Sequence, residues 1–448
     1  MISKRSRDIV LIISSACLLL YACETASTIE DPTKNYFIKY YGGDGDQEGV
    51  DAVVGADGSI YLLGNSNATG STTGKQLYMV KTDADGKLIW EKTFGGKFDE
   101  EAKDIELTTD GRLVVLANSK KGSAENDILL MTVTLEGIKI DSVLIGMKTI
   151  SPSGAEANDD ASSVSQTSDG FIVAGTTTSI ASKGSGGFAT EDIQDVLHLR
   201  FTNSLTIFDE ASWTRTSGTI GTDGASKVYQ VDPLIYYVFG YSNIDISTGS
   251  GITDFNFWVY KLGTTGVPSD NQMYPGDAGT DEKLTSVITS PVQSGEGFLL
   301  AGTSSSTSGT GNYNIYVNKL RKTLTFEESV DYQFKRPLTV ALGTLESDKA
   351  KVSVYPSSSS GYFVLTNEKS TTTENSFFLT KIDNEGNFAW PIDNPQSLIF
   401  GGQRDDYIGA VAELPDGRII LTGTMAIGDE AQKKMALIKL NKDGKFLE

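Results

Sequence analysis

Apolar residues along this chain come in short runs, each opened by a turn and closed by a small residue. The run appears as DGSIYLLGN from Asp57, DGRLVVLAN from Asp110, DGFIVAGT from Asp169, PLIYYVFGY from Pro233, EGFLLAGT from Glu296, SGYFVLTN from Ser360 and DGRIILTGT from Asp416. Runs of this length, rich in Val, Ile, Leu, Phe and Tyr and bounded by Asp-Gly turns, predict strands joined as hairpins. No segment sustains a 3.6-residue apolar period, so no long helix is expected.

The runs recur. Their closing residues are Gly64, Ala117, Gly175, Gly240, Gly302, Thr366 and Gly423, at intervals of 53, 58, 65, 62, 64 and 57 residues. Each copy adds a strand before the turn, such as GVDAVV at 49–54, and a third after a polar loop, such as QLYMVKT at 76–82 or NFWVYKL at 256–262. A fourth follows, as in KLIWEKTF at 87–94 and ASWTRTS at 211–217. Four strands in a unit of this length predict the blade of an all-β, seven-bladed propeller with four antiparallel strands per blade. The last copy stops at KDGKFLE, where a fourth strand should begin, while FIKYYGG at 37–43 matches WEKTFGG at 90–96. Residues 35–41 are therefore expected to complete the last blade and close the ring, removing two open sheet edges. The expected blades span about 42–94, 95–147, 148–218, 219–276, 277–342, 343–400 and 401–448, in a single domain from residue 35.

The N-terminus carries a different pattern. Lys4, Arg5 and Arg7 precede an apolar run from Ile9 to Leu20, shorter than a spanning helix needs, as in a secretory signal. Both cysteines lie in this region, at Cys17 and Cys23, so a chain cut before Cys23 forms no disulfide and is held by packing. Residues 24–34, ETASTIEDPTK, read as a polar tether. The net charge is −20, and removing residues 1–22, which carry a net +2, leaves about −22. That excludes nucleic acid as an expected partner, since its phosphates are repelled.

Leu20-Tyr21-Ala22-Cys23 resembles the lipobox of bacterial lipoproteins. The resemblance implies a signal peptide over 1–22, lipid on Cys23 and an outer-membrane address, with the cell surface slightly favoured over the periplasm. The aromatic-Gly-Gly, Asp-Gly and Lys-apolar-Asp-x-x-Gly-x-x-Trp repeats, clearest in the first, second and last units, resemble surface and outer-membrane propeller lipoproteins of the Bacteroidota type. DADGKLIW at 83–90 and DNEGNFAW at 383–390 resemble the tryptophan-docking motif of quinoprotein-like propellers. That gives Trp90, Trp213 and Trp390 a structural role between blades. The quinone-dependent enzymes of that fold use a vicinal disulfide, which this sequence cannot make. The resemblance that remains is to non-catalytic members such as the propeller lipoprotein of the barrel-assembly machinery.

Candidate chemistry is sparse. Asp44, Asp46 and Glu48 occupy the first, third and fifth positions of a calcium-loop pattern, but its twelfth position is Gly55 where a bidentate Glu is needed. Calcium is the one cofactor considered, and none is expected. Acidic residues recur before each innermost strand, and Asp46, Asp99, Asp159, Asp281, Asp348 and Asp405 are expected to form an acidic ring at one mouth of the axis, either binding a partner or capping turns. His198 is the single histidine and reads as a packed or surface strand residue. No nucleophile elbow, metal cluster or phosphate loop is present. The loops between second and third strands, rich in Ser, Thr and Gly with Phe188, Phe255 and Tyr313 in or beside them, form the expected binding face. The expected function is a non-catalytic interaction scaffold, docking on an outer-membrane protein or another lipoprotein. Glycan binding is the alternative, and a carboxylate-dependent glycoside hydrolase or lyase in the central funnel is the third reading. A pair of carboxylates lining one pocket is the observation that would favour that third reading.

Overall fold

The computed structural model describes residues 36–446 apart from 68–73, 121–124, 148–156, 179–193, 209–212, 214–215, 220, 245–251, 275, 277–278, 293–294, 306–312, 322–331, 337–350, 370–373, 391–397 and 429–431. It is a seven-bladed β-propeller of four-stranded antiparallel sheets. Strand β1 (Phe37–Tyr41) belongs to the last blade. Blade 1 is β2 (Asp46–Val54), β3 (Ile60–Asn67), β4 (Gln76–Thr82) and β5 (Leu88–Phe94). Blade 2 is β6 (Asp99–Leu107), β7 (Arg112–Lys120), β8 (Asn126–Thr134) and β9 (Lys139–Ile145). Blade 3 is β10 (Asp159–Gln166), β11 (Gly170–Thr177), β12 (Asp195–Thr202) and the short β13 (Thr216–Ser217). Blade 4 is β14 (Asp223–Asp232), β15 (Ile235–Ile244), β16 (Ile252–Leu262) and β17 (Pro268–Met273). Blade 5 is β18 (Glu282–Val292), β19 (Gly295–Ser305), β20 (Tyr313–Arg321) and β21 (Tyr332–Arg336). In blade 6, β22 (Val352–Pro356), β23 (Tyr362–Lys369) and β24 (Asn375–Ile382) are followed by an outer strand split into β25 (Phe388–Trp390) and β26 (Ile399–Phe400). Blade 7 is β27 (Tyr407–Glu413), β28 (Ile419–Ile427), β29 (Gln432–Leu440) and, from the other end of the chain, β1.

The ring closes as the repeat requires. Strand β1 pairs antiparallel with β29, Phe37 opposite Lys439 and Tyr41 opposite Met435, and both aromatics are buried. The strands run further than the apolar pattern indicates. Strand β15 reaches Ile244, and β28 and β29 leave only 428–431 between them, because backbone pairing continues after the side chains turn polar.

The hydrophobic interior is a set of layers, one between each pair of neighbouring blades. Between blades 1 and 2, Leu63, Met79, Val115 and Met131 meet; between blades 7 and 1, Phe37, Leu62, Val80 and Leu437 do. A second or third strand is thus covered on both faces, which is why its sequence is a continuous apolar run, with β11 buried along its whole length. Outer strands are covered on one face, and β5 alternates exposed and half-buried residues. At roughly 1.5–3 kcal/mol per large apolar side chain removed from water, these layers are the main source of stability.

The closing small residues have a steric cause. Innermost strands β2, β6, β10, β14, β18 and β27 each carry a bulge or register irregularity. It brings a carbonyl of the innermost strand against the Cα of the closing residue. A Cβ at Gly64 would stand 1.7 Å from the Glu48 carbonyl oxygen, and one at Gly240 1.9 Å from that of Gly224.

Candidate functional site

The starts of the innermost strands, at the end of the ring that carries the long loops, hold two sets of polar side chains. In the first set each carboxylate reaches back to the preceding blade. Asp99 Oδ1 accepts the backbone N–H of Lys75, just before β4, at 2.6 Å. Asp46 does the same to Lys433 (3.0 Å), Asp281 to Phe255 (3.0 Å) and Asp405 to Asn375 (2.9 Å). In blade 3 the position is Asn158, accepting from Asn126 at 3.0 Å.

The next residue points inward and is buried. Glu100 accepts from Gly96 N at 3.3 Å, Asp159 from Met147 N at 2.5 Å, and Asp223 from Thr219 N. Glu282 accepts from Ser304 Oγ at 2.7 Å, and Asp406 from Gly402 N (2.8 Å) and Ala426 N (3.0 Å). Burial raises Asp159 to about 6 and Asp223 to about 7, and raises Glu100 and Asp406 as well.

The six-membered ring read from the sequence therefore mixes two registers. Asp46, Asp99, Asp281 and Asp405 are exposed and share one place; Asp159 is fully buried and belongs to the inner set, because Asn158 takes the outer place in its blade. Asp348 lies outside the described residues. The outer carboxylates bridge blades rather than capping their own turns.

The axis holds a cavity of about 340 Å³, lined by the innermost strands of all seven blades. Its walls are polar because the bulges aim side chains across the blade boundary. Asp51 Oδ2 accepts Ile105 N at 3.1 Å, and Asp104 Oδ2 accepts Val164 N at 2.8 Å. Ser286 and Ser353 repeat this on Val354 and Val411 at 3.3 and 3.4 Å. Lys227 Nζ lies 3.1 Å from Asp104 and 2.9 Å from Glu106, and donates to the Val164 carbonyl. Burial opposes the charge on Lys227, but Asp104 and Glu106 hold it protonated, well above the ordinary lysine value. Lys351 donates to the Val50 carbonyl at 3.2 Å, and burial lowers its pKa despite Asp51 and Asp104 nearby. Burial, with the charge of Asp104 second, lifts Asp51 well above the usual carboxylate range. Two carboxyl groups, of Asp51 and Asp104, thus line one pocket. Ser163, also on the wall, is buried with its hydroxyl unpartnered among the described residues.

A second cleft of about 490 Å³ opens between blades 1 and 2, floored by Phe94, Phe98, Leu129 and Met131 and edged by Gln76 and Lys139. The apolar pattern gives no sign of it, because two blades 50 residues apart in sequence make its walls.

Trp90 is half-buried, and its Nε1 donates to Leu135 of blade 2 at 3.1 Å. Trp213 is buried between blades 3 and 4, edge-on to His198 (6.1 Å) and Tyr236 (5.4 Å). Trp390 pairs through its backbone with Lys381, and its side chain lies outside the described residues. The fourth tryptophan, Trp258, has no docking motif yet is buried beside Tyr260, with ring centres 4.3 Å apart. His198 is fully buried, its Nε2 2.7 Å from Ser217 Oγ, and burial lowers it to about 4. The calcium pattern is not a loop: Asp46 opens β2, and Glu48 is held by Lys75 (2.9 Å) and Lys433 (3.2 Å), while Asp44 is exposed. Among the described residues no group of three or more His, Cys, Asp or Glu is placed to hold a metal ion. Phe255 is half-buried, with Tyr241 edge-on at 5.7 Å and the Lys283 ammonium 4.9 Å above it; Phe188 and the side chain of Tyr313 lie outside the described residues.

A repeated residue that the pattern reading passed over is the one after the closing small residue. Asn65 accepts Ala102 N (2.9 Å), Asn118 accepts Ala161 N (2.9 Å) and Asn367 accepts Ile408 N (3.1 Å), each in the following blade. The recurring Gly-Asn, Ala-Asn and Thr-Asn at the run ends is its sequence signal.

No protein-family profile matches the chain, and no curated protein matches it in sequence. Solved structures match in shape. A protein of unknown function from Dyadobacter fermentans is 8% identical with a TM-score of 0.43, covering 91% of this chain and 98% of its own. A WD40 domain from Neurospora crassa is 11% identical with a TM-score of 0.46, covering 93% and 98%. An α-L-arabinofuranosidase from Fusarium graminearum is 9% identical with a TM-score of 0.41, covering 90% and 98%. Likeness at this level concerns chain shape, and function is argued from the site.

Proposed function

We propose that this protein is a non-catalytic interaction scaffold, lipid-anchored through Cys23 at the outer membrane, that docks on a membrane protein or another lipoprotein. The observation that carries the reading is how the axial charges are used. Asp51, Asp104, Glu106 and Lys227 are each bonded across a blade boundary, so the polar groups of the axis fasten the ring. Buried charges are stable only when paired and hydrogen-bonded, as Lys227 is with Asp104 and Glu106, and Asp51 is kept by its backbone donor. A rigid ring with long loops at one end is a platform for partners. The test is a pull-down of the full chain from detergent-solubilised membranes, with Cys23→Ala as its control. A partner should be recovered reproducibly with the wild type, and the variant should move to the soluble fraction. Recovery of this chain alone would count against docking, and a variant that stays on membranes would count against the lipid.

A second reading has its own observation. Asp51, which burial lifts well above the usual carboxylate range, and Asp104 line one cavity of about 340 Å³, and a pair of carboxyl groups on one pocket is what glycoside hydrolysis uses. Assay of a panel of aryl glycosides with wild type and Asp51→Asn tests it. Turnover lost in the variant would establish the enzyme reading, and no turnover by the wild type would remove it.

A further inference from the structure

We propose that the short-turn end of the ring lies against the lipid bilayer, with the long-loop end facing away from it. The inference rests on the lipid reading of Cys23 and adds an orientation to it. Among the described residues, the turns between first and second strands and those between third and fourth, such as β4–β5, β8–β9, β16–β17 and β24–β25, lie at one end of the ring; third strands begin, and innermost strands start, at the other.

Three observations converge on the short-turn end. The first is where the N-terminal segment joins the fold. Phe37, the first residue of β1, pairs with Lys439, one residue short of the end of β29 and beside the turn that follows it. Phe37 also lies against the β4–β5 turn, where a Cβ at Gly86 would stand 2.4 Å from its ring. The chain from Cys23 therefore reaches the propeller at its short-turn end. Residues 24–34 alone could extend about 36–40 Å, so covalent attachment does not by itself hold the ring down.

The second observation is the distribution of exposed apolar side chains. Leu88 and Ile89 follow the β4–β5 turn, Ile138 and Ile140 flank the start of β9, Leu234 sits in the β14–β15 turn and Val267 in the β16–β17 turn. Leu234 is 60% exposed and Ile138 59%. The other exposed large apolar residues lie elsewhere: Ile38, Tyr40 and Leu144 along the outer strands, Ile235 beside Leu234, and Phe446 against Phe400. None of them lies in the described parts of the long loops. Single exposed apolar residues need no explanation, but their gathering at the end that receives the N-terminal segment does.

The third observation is charge. The chain is acidic, and at the short-turn end four carboxylates are paired with cations, Asp85 with Lys439, Asp110 with Arg112, Asp169 with Arg200 and Asp416 with Arg418, while Asp57, Asp83, Asp232 and Asp383 accept backbone N–H groups of their own turns. The outer carboxylates of the long-loop end, Asp99, Asp281 and Asp405, accept backbone N–H groups and carry their charge to solvent. An end whose acids are partly paired and which exposes apolar side chains suits a zwitterionic rather than an anionic bilayer, into whose interface Leu, Ile and Val side chains insert.

The test uses the full lipidated chain in phosphatidylcholine vesicles with brominated acyl chains. Cys17 leaves with the signal and the Cys23 sulfur is consumed by lipid, so a single introduced cysteine can carry an environment-sensitive fluorophore. Labels at Ile89→Cys, Ile140→Cys and Val267→Cys should be quenched several-fold more than one at Asn67→Cys on the long-loop end. Combining Leu88→Ser, Ile89→Ser, Ile138→Ser and Ile140→Ser should remove most quenching at Val267→Cys while the protein still floats with the vesicles. Equal or absent quenching at both ends, in protein that floats, overturns the orientation and leaves the anchor standing. Failure to float overturns the anchor and the orientation with it. Shielding of Ile140→Cys in native membranes but not in pure lipid overturns the bilayer as the occupant in favour of a protein.

Discussion

The two ends of this propeller are built from the same hairpins and solve different problems. At the long-loop end, acidic side chains are spent on backbone: Asp406 alone accepts two N–H groups, from Gly402 and Ala426, and is fully buried. At the short-turn end, the exposed Asp416 pairs with the half-buried Arg418 of its own turn at 2.5 Å, and its carboxyl sits below the usual range because Arg418 bonds to it. Long connections between blades leave backbone donors that no strand satisfies, so the sequence supplies acceptors for them. Tight Asp-Gly turns satisfy their own backbone, as in Gly417 N to Leu414 O, and their side chains are free to be apolar or paired outward. The first end holds the ring together and the second is open to selection for contact.

The largest effect should come from removing the strand that runs between the two ends. Deleting residues 35–41 strips β29 of its partner and uncovers the apolar layer beneath Phe37 and Tyr41. The loss should be several kcal/mol, a large part of the ~5–15 kcal/mol typical of a domain. An unchanged urea midpoint would mean that the ring does not depend on β1.

Next, matched substitutions separate the ends. Asp406→Ala strands two backbone N–H groups and should cost about 2–4 kcal/mol. Asp416→Ala breaks a surface pair and should cost no more than about 1 kcal/mol. Urea denaturation measures both, and similar losses would erase the distinction drawn between the ends.

The pH dependence of stability follows from the same burial. Asp159 and Asp223, raised to about 6 and about 7, keep protons in the folded state that the unfolded chain releases near pH 4. Their contribution is complete below pH ~4 and declines as pH rises through the folded values. His198, lowered to about 4, acts in the opposite sense between about pH 4 and 6.5, where only the unfolded chain binds the extra proton. Above pH ~6.5 the histidine is silent, so Tm should fall from pH 6.5 to 8, and Asp223→Asn should lessen that slope, Asp51, raised to about 8, supplying the remainder. A wild-type Tm that rises over this interval would contradict the assignment.

The smallest effect belongs to the exposed apolar residues. Ile138→Ser with Ile140→Ser should change stability by no more than about 0.5 kcal/mol, since both side chains are exposed. A loss beyond 2 kcal/mol by calorimetry would show that they support the fold rather than a surface.

Much of the architecture was legible because a blade buries both faces of its middle strands. That forces the continuous run of Ile60 to Leu63 and its six counterparts, and the steric demand of the bulge forces Gly64, Gly175, Gly240, Gly302 and Gly423 to be small. The site was legible only in part. The acids before each innermost strand were visible, but not that Asp159 and Asp99 differ by one register, because period-two alternation cannot fix phase across a polar connection.

The amino-acid sequence determined the seven repeats, the strand that closes them and the acidic net charge, since all three depend on composition and spacing along the chain. Tertiary structure alone decided that Asp51 faces Asp104, that Lys227 of blade 4 reaches the carboxylates of blade 2, and that Phe37 meets Gly86 at the short-turn end. These groups lie dozens to more than a hundred residues apart, and only closing a ring, where the first blade must meet the last, brings them within a few ångströms.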